Sequence, residues 1–295
     1  MLSILIPTYN YNIISLVKAI YNQTLDCDID FEILCLDDAS TKYILENKTA
    51  LNRFEKTSYF ISEKNLGRTS TRQALANQAK FDLLLFLDAD VIPKSENFIS
   101  SYLEYISPSI DAIFGGIAYD NYQKKNEKNL RWRYGKKYEE VQAKKRNKKP
   151  YEAIVSANFL IRKSIFLEIN KTIDRKSYGI DNYFSAKLKN SNVKVLHINN
   201  EVYHYGLETN LSYIKKTEEA ISTLLWMRRE KKVSSHNNKL LKLHDRLKTL
   251  RLDYIFSLLY NLLHSMILKH LTGKSANIYL LQLYKLMYIC KEDLK

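Results

Sequence analysis

Apolar and polar positions follow three different rhythms along this chain of 295 residues. Up to residue 90, short apolar runs alternate with stretches whose apolar side chains fall three and four apart. Residues 2–7, 31–36, 58–61 and 81–87 read as strands, and residues 13–21, 41–54 and 67–79 as helices. Such alternation predicts β-α-β units and a mostly parallel sheet. Right-handed crossovers would bring the strand ends to one edge.

From residue 93 the rhythm loosens. Residues 111–118 read as a strand carrying Gly115-Gly116, where backbone without side chains lets a ligand approach closely. Residues 121–150 form a polar, basic insertion, 153–161 and 193–198 read as strands, and 180–189 as a helix. After Tyr205 the pattern is helical to the end, broken at Gly273, and no internal repeat is visible. Residues 252–271 place Leu252, Ile255, Phe256, Leu259, Leu262, Leu263, Met266 and Ile267 on one face. Asp253, Ser257, Asn261, His264 and Ser265 fall on the other. The apolar face would pack on the rest of the chain or on a second copy, or lie in a membrane interface.

Composition narrows the class. A hydrophobic content of 45% suits a packed core, and 7 glycines with 4 prolines disfavour a turn-rich sandwich or a collagenous chain. Cys27, Cys35 and Cys290 show neither metal spacing nor a disulfide framework, which fits a reducing cytoplasm. The start of the chain reads as no signal peptide, and no stretch reaches the roughly 20 apolar residues of a spanning helix. A soluble or membrane-peripheral protein is expected. The net charge of +14 calls for an anionic partner: nucleic acid, anionic lipid or a negatively charged substrate. Basic residues are densest between Lys124 and Lys149.

The apolar run 81–87 ends abruptly in Asp88-Ala89-Asp90. Ligands of open parallel sheets sit at the carboxyl ends of the strands. Unpaired buried carboxylates are costly there, and Mg2+ or Mn2+ would offset that cost while bridging to a nucleotide diphosphate. A bare Asp-x-Asp also marks solvated turns, so the order of the other pieces matters. Asp37-Asp38-Ala39-Ser40 closes the second strand, where an acid can bind a nucleobase or ribose hydroxyl, or cap a helix. Asn65-Leu66-Gly67-Arg68 and Arg72 open a helix whose N-terminal dipole and guanidinium groups favour phosphate.

Pro7-Thr8-Tyr9-Asn10, Asp37-Asp38-Ala39-Ser40, Asn65-Leu66-Gly67, Arg72 and Leu87-Asp88-Ala89-Asp90-Val91 together resemble the family 2 glycosyltransferases, over residues 1–215. The resemblance implies the GT-A fold, a Rossmann-like, mostly parallel α/β sheet flanked by helices. It implies a nucleotide-sugar donor, a divalent cation (Mn2+ or Mg2+) at Asp90 with Asp88 on ribose or metal-bound water, and inversion at the anomeric carbon. It divides the chain into a donor-binding half (1–92), an acceptor-side half (93–215, with the insertion 121–150) and a C-terminal helical region (216–295).

In Tyr178-Gly179-Ile180-Asp181-Asn182 the family usually carries a Glu-Asp pair, and Ile180 stands here for the first acid. Asp181 is then the implied general base, with a helix cap as the alternative. His204, in Val202-Tyr203-His204-Tyr205, is the implied third metal ligand or else structural. Gly116, Trp132 and Asn158 fall on the implied acceptor side.

The expectation is a cytoplasmic glycosyltransferase moving a hexose or N-acetylhexosamine from a UDP-linked donor to a glycan or lipid-linked acceptor of the cell surface. It would be peripheral on an anionic membrane or form a homodimer. A nucleotidyltransferase would need a glycine-rich loop after the first strand, which Pro7-Thr8-Tyr9-Asn10-Tyr11 lacks. A nucleic-acid binder could stack bases on Trp132 and Tyr134 among the Lys and Arg residues, but no nucleic-acid motif accompanies them.

Overall fold

The computed structural model describes residues 1–152, 154–173, 177–230, 238–274 and 276–295. They form two compact units. The first takes residues 1–119, 139–176 and 188–206, and the second takes 120–138, 177–187 and 207–295.

The first unit is built on a seven-stranded sheet ordered β3-β2-β1-β4-β8-β6-β9. Its strands are β1 (Leu2–Thr8), β2 (Phe31–Asp37), β3 (Thr57–Ile61), β4 (Leu83–Leu87), β6 (Ala112–Phe114), β8 (Asn158–Arg162) and β9 (Val195–His197). β1 and β2 are near-continuous apolar runs because helices cover a parallel sheet on both faces. The helices of this unit include α1 (Ile14–Leu25), α2 (Ile44–Leu51), α3 (Arg68–Gln78), α4 (Phe98–Leu103), α6 (Ala143–Arg146) and α7 (Lys163–Asn170). β1 to β4 are mutually parallel, whereas β8 runs antiparallel to both β4 and β6. Phe86, Phe159 and Phe114 lie opposite one another across these three strands, with ring centroids 4.9 and 5.4 Å apart. Such stacked cross-strand aromatics fix the register.

The expected strand 111–118 breaks at Gly115-Gly116. Its first half is β6, and its second, β7 (Ile117–Ala118), joins a small sheet with β5 (Val91–Pro93) and β10 (Val202–His204), ordered β5-β10-β7. Asn158 holds the break together. Its Nδ2 donates to the carbonyls of Gly116 and Asn200 at 3.1 and 2.8 Å, and its Oδ1 accepts from Tyr102 at 2.5 Å. Arg146, the buried end of the basic insertion, donates to the carbonyls of Phe114, Gly115 and Ile198 at 3.0, 3.1 and 2.6 Å.

The second unit is helical: α5 (Asn129–Tyr138), α9 (Asn210–Arg229), α10 (Lys239–Thr249), α11 (Asp253–Thr272), α12 (Ile278–Asp293) and the start of α8 (Asp181–Asn190). Thr209, Asn238 and Asn277 cap α9, α10 and α12 by accepting from first-turn N–H groups. Leu130, Tyr213, Ile267, Leu281 and Tyr284 share one core. The C-terminal helices share this unit with α5, whose Leu130 lies in their core.

The stripe expected on 252–271 also divides. Ile267 is buried and Phe256, Leu259 and Leu263 pack on the core, whereas Ile255, Leu262 and Met266 are exposed beside Tyr254 and Leu258. Asp253, expected on the polar face, is buried. No helix among the described residues is long and apolar enough to cross a membrane.

Candidate active site

Strand order and register bring the ends of β1, β2 and β4 side by side. Thr8 pairs with Asp37 at the last rung of β1 and β2, and β4 lies on the other side of β1. Beyond β1, Pro7 and Thr8 lead to Tyr9, exposed, and Asn10, which turns the chain with φ +49°. Asn10 ties this turn to the next strand end. Its N–H donates to Ser40 Oγ at 2.7 Å, and its Oδ1 accepts from the backbone of Thr41 and Lys42 at 2.7 and 3.1 Å.

Asp37 is wholly buried, accepting from Ser40 N and from the Tyr59 hydroxyl, both at 2.7 Å. Burial, then the Asp37 hydrogen bond, pushes the Tyr59 phenol up. Asp38 turns toward the start of α3: its oxygens accept from Leu66 N at 2.5 Å and Gly67 N at 2.8 Å, while Asn65 donates to its carbonyl at 3.1 Å. These N–H groups belong to the residues just before α3, so Asp38 ties the loop that leads into the helix to the end of β2.

Asp88 is held by the two arginines of α3. Arg68 reaches its Oδ2 at 2.5 Å and Arg72 its Oδ1 at 2.7 Å. Both arginines also donate to Ser156, at 3.1 Å to its hydroxyl and 2.5 Å to its carbonyl. Arg72 lies over the rings of Phe86 and Phe159, 5.8 and 5.6 Å from their centroids. Ser156 is a partner the sequence pattern gave no reason to single out.

Asp90 stands apart from this cluster, two residues on. The small sheet pairs His204 with Val91, which sets the histidine beside Asp90: His204 Nε2 lies 3.2 Å from Asp90 Oδ2. Tyr205 N donates to the Asp90 carbonyl at 2.7 Å, and the ring of His204 meets Tyr119 edge-on at 5.9 Å. A Cβ on Gly206 would lie 1.8 Å from Asp90 Oδ2, so any larger residue there would displace the Asp90 side chain. Burial pushes the Asp90 carboxyl up, but the hydrogen bond and charge of His204 and the charge of Arg68 outweigh it, so Asp90 titrates below its usual range. Tyr11 belongs to the same neighbourhood, its phenol pushed up by burial and then by the charge of Asp90. Nothing in its spacing marked it.

One carboxylate and one imidazole converging within hydrogen-bond range suit a divalent cation that completes its shell with water and substrate phosphate. Asp88 points its oxygens at the arginines instead. Among the described residues no group of three or more His, Cys, Asp or Glu side chains could hold a metal ion. Asp90 and His204 are the pair that could contribute to such a site.

Of the acceptor-side expectations, Gly116 takes φ +94° at the strand break, and the side chain of Asn158 is fully engaged there. Trp132 belongs to the second unit, as does Asp181. Asp181 opens α8 after a turn tied to α9: Tyr178 N donates to Glu219 at 2.7 Å, and Gly179, at φ +89°, lies where a Cβ would meet Ala220 at 2.9 Å.

A family model described as glycosyl transferase family 2 matches residues 3–169, more than half of the chain. No curated protein matches the sequence closely enough to count as a relative. A mannosyltransferase from Pyrobaculum calidifontis, solved with GDP-Man and Mn2+, superposes with a TM-score of 0.60 at 11% identity, covering 100% of this chain and 86% of that one. Glucosyl-3-phosphoglycerate synthase from Mycobacterium tuberculosis, solved with Mn2+, uridine diphosphate and glucosyl-3-phosphoglycerate, gives 0.51 at 13%, covering 76% and 78%. TarS of S. aureus gives 0.53 at 17% and covers 76% of this chain, which spans only 39% of TarS. At these identities the likeness establishes the fold, a mixed α/β sheet of GT-A type flanked by helices.

Proposed function

The chain belongs to glycosyl transferase family 2, and from that premise we propose how this glycosyltransferase divides its labour among named residues. The donor is a nucleotide sugar, uridine-linked in this reading, and the acceptor is a hydroxyl of a glycan or lipid-linked glycan of the cell surface. The observation that carries the reading is the 3.2 Å approach of His204 to Asp90 at the strand-end edge of the sheet.

Asp37, with the turn from Pro7 to Asn10, shapes the wall for the nucleoside. Asp38 fixes the loop Asn65-Leu66-Gly67 against it. Arg68 and Arg72 hold cationic charge beside the Asp88-Ala89-Asp90 turn, where the diphosphate would lie. Asp90 and His204 would hold a divalent cation, which when bound neutralises charge on the departing diphosphate. The Mn2+ in the mannosyltransferase and synthase structures supports that assignment. Asp181 takes the proton of the acceptor hydroxyl as it attacks opposite the leaving group, which inverts the anomeric carbon. The exposed apolar residues of α11 would rest on a membrane surface or on a second copy.

Incubating the chain with a panel of nucleotide sugars and Mn2+ tests this reading. Slow release of nucleoside diphosphate from one of them, abolished by chelator, is expected. Release of pyrophosphate from a nucleoside triphosphate, or no turnover of any sugar nucleotide, would contradict it.

A further inference from the structure

The second unit carries a feature that donor chemistry does not use. A surface cavity of about 460 Å³ lies between α5 and the start of α12, lined by Trp132, Arg133, Lys136, Lys137, Asn277 and Tyr279. Its size falls in the range of small-molecule sites, roughly 300–1,000 Å³. Three cations line it, and no carboxylate does among the described residues.

Several walls are held in place before any ligand arrives. Arg133 Nη1 donates to the Ala276 carbonyl at 3.1 Å, and Lys137 Nζ donates to the Tyr279 hydroxyl at 2.6 Å. Trp132 Nε1 donates to the Asp120 carbonyl at 2.9 Å, which fixes the indole. A fourth cation, Lys124, sits 5.4 Å from the centre of that ring. Tyr279 is 66% exposed, with the Lys137 ammonium 4.1 Å from its ring centre on one face. Asn277 already accepts from Tyr279 N and Leu280 N at 2.8 and 3.4 Å, so recognition here falls to side chains rather than to the helix end.

Fixed guanidinium and ammonium groups suit a phosphate, which accepts several charge-assisted hydrogen bonds. Two aromatic side chains beside them offer surfaces to the C–H face of a sugar ring. The surroundings reinforce the preference. Of the chain's 46 basic and 32 acidic residues, the second unit holds 24 and 11 and the first 22 and 21. The net charge of +14 thus divides as +13 and +1, and a field of that sign draws anions to this unit.

We propose that this cavity is a binding site for a sugar phosphate, so that the acceptor recognised by the chain is a phosphate-bearing glycan. Its role as an acceptor subsite rests on the glycosyltransferase reading; its existence as a site does not.

Calorimetric titration of the full chain at low salt with glucose 1-phosphate, inorganic phosphate and glucose tests the proposal. Glucose 1-phosphate should bind and glucose should not, and added salt should weaken binding. Lys136→Gln with Lys137→Gln should raise the dissociation constant at least about tenfold. Trp132→Leu should weaken glucose 1-phosphate while leaving inorganic phosphate unchanged. UDP binding with Mn2+, measured on the same variants, should not move, which separates failure here from failure of the donor reading. Undiminished affinity in the double variant, or no binding by the unaltered chain, would overturn the proposal. So would flotation with phosphatidylglycerol vesicles without any affinity for glucose 1-phosphate, since the cations would then serve lipid.

Discussion

The two units carry charge in opposite ways. In the first, nearly balanced, the acids at the strand ends are each answered from within: Asp37 by Ser40 and Tyr59, Asp38 by the backbone before α3, Asp88 by Arg68 and Arg72, Asp90 by His204. In the second the cationic excess faces solvent, alongside exposed apolar residues of α11. Buried charge without a partner is costly, so a site that must hold acids together builds their partners into the fold. Exposed charge has no such constraint and can be spread for capture. On this reading the first unit binds one donor at fixed points, and the second recognises something larger by field and surface.

The comparison breaks most sharply at Asp90. Asp90→Ala should cut transfer about 1,000-fold, the upper range for removing one electrostatic stabiliser, with melting temperature nearly unchanged without ligand. An active Asp90→Ala chain would mean that the acids of the first unit are structural. Asp181→Asn comes next. Asparagine caps a helix about as well as aspartate but takes no proton at neutral pH. Turnover should therefore fall at least about 100-fold with donor affinity retained, and near-normal turnover would reduce Asp181 to a cap.

A third test uses pH in the first unit. Burial pushes the His197 imidazole down to about 4, the Pro150 carbonyl opposing and the Arg146 charge adding. The folded chain therefore takes up this proton later than the unfolded chain, whose histidine titrates near 6.5. Stability from this group is intact above pH 6.5 and declines by about 2–3 kcal/mol as pH falls toward 4. Urea midpoints across that window should fall more steeply in the unaltered chain than in His197→Gln, and parallel curves would refute the assignment. The mildest test is on α11. Leu262→Ser should change stability by less than about 0.5 kcal/mol, whereas Leu271→Ala, in the core, should cost about 2–5 kcal/mol. Equal costs would mean that the exposed stripe is covered within one chain.

Much of the first unit was legible because its strands are long apolar runs with a turn residue or an acid at each end. β1 to β4 lie within a residue or two of where periodicity places them. The small sheet was not legible. Its strands are two and three residues long, too short for any periodic signal, yet they set His204 beside Asp90. Arg146 looked like one more cation in a solvated run, since only tertiary context buries it against three carbonyls. Tyr11 and Ser156 carry no pattern at all. In the second unit the helices were plain, but α11 is apolar on two sides, so which side faces the core could not be read from spacing.

The central claim is that Asp90 and His204 bind the donor through a divalent cation. Its most direct test is UDP affinity measured by titration with Mn2+ and with excess chelator, in the unaltered chain and in His204→Ala. The account predicts at least about tenfold tighter binding with Mn2+, and loss of most of that gain in His204→Ala. Equal affinity with Mn2+ and with chelator, or a full gain without the histidine, would contradict it.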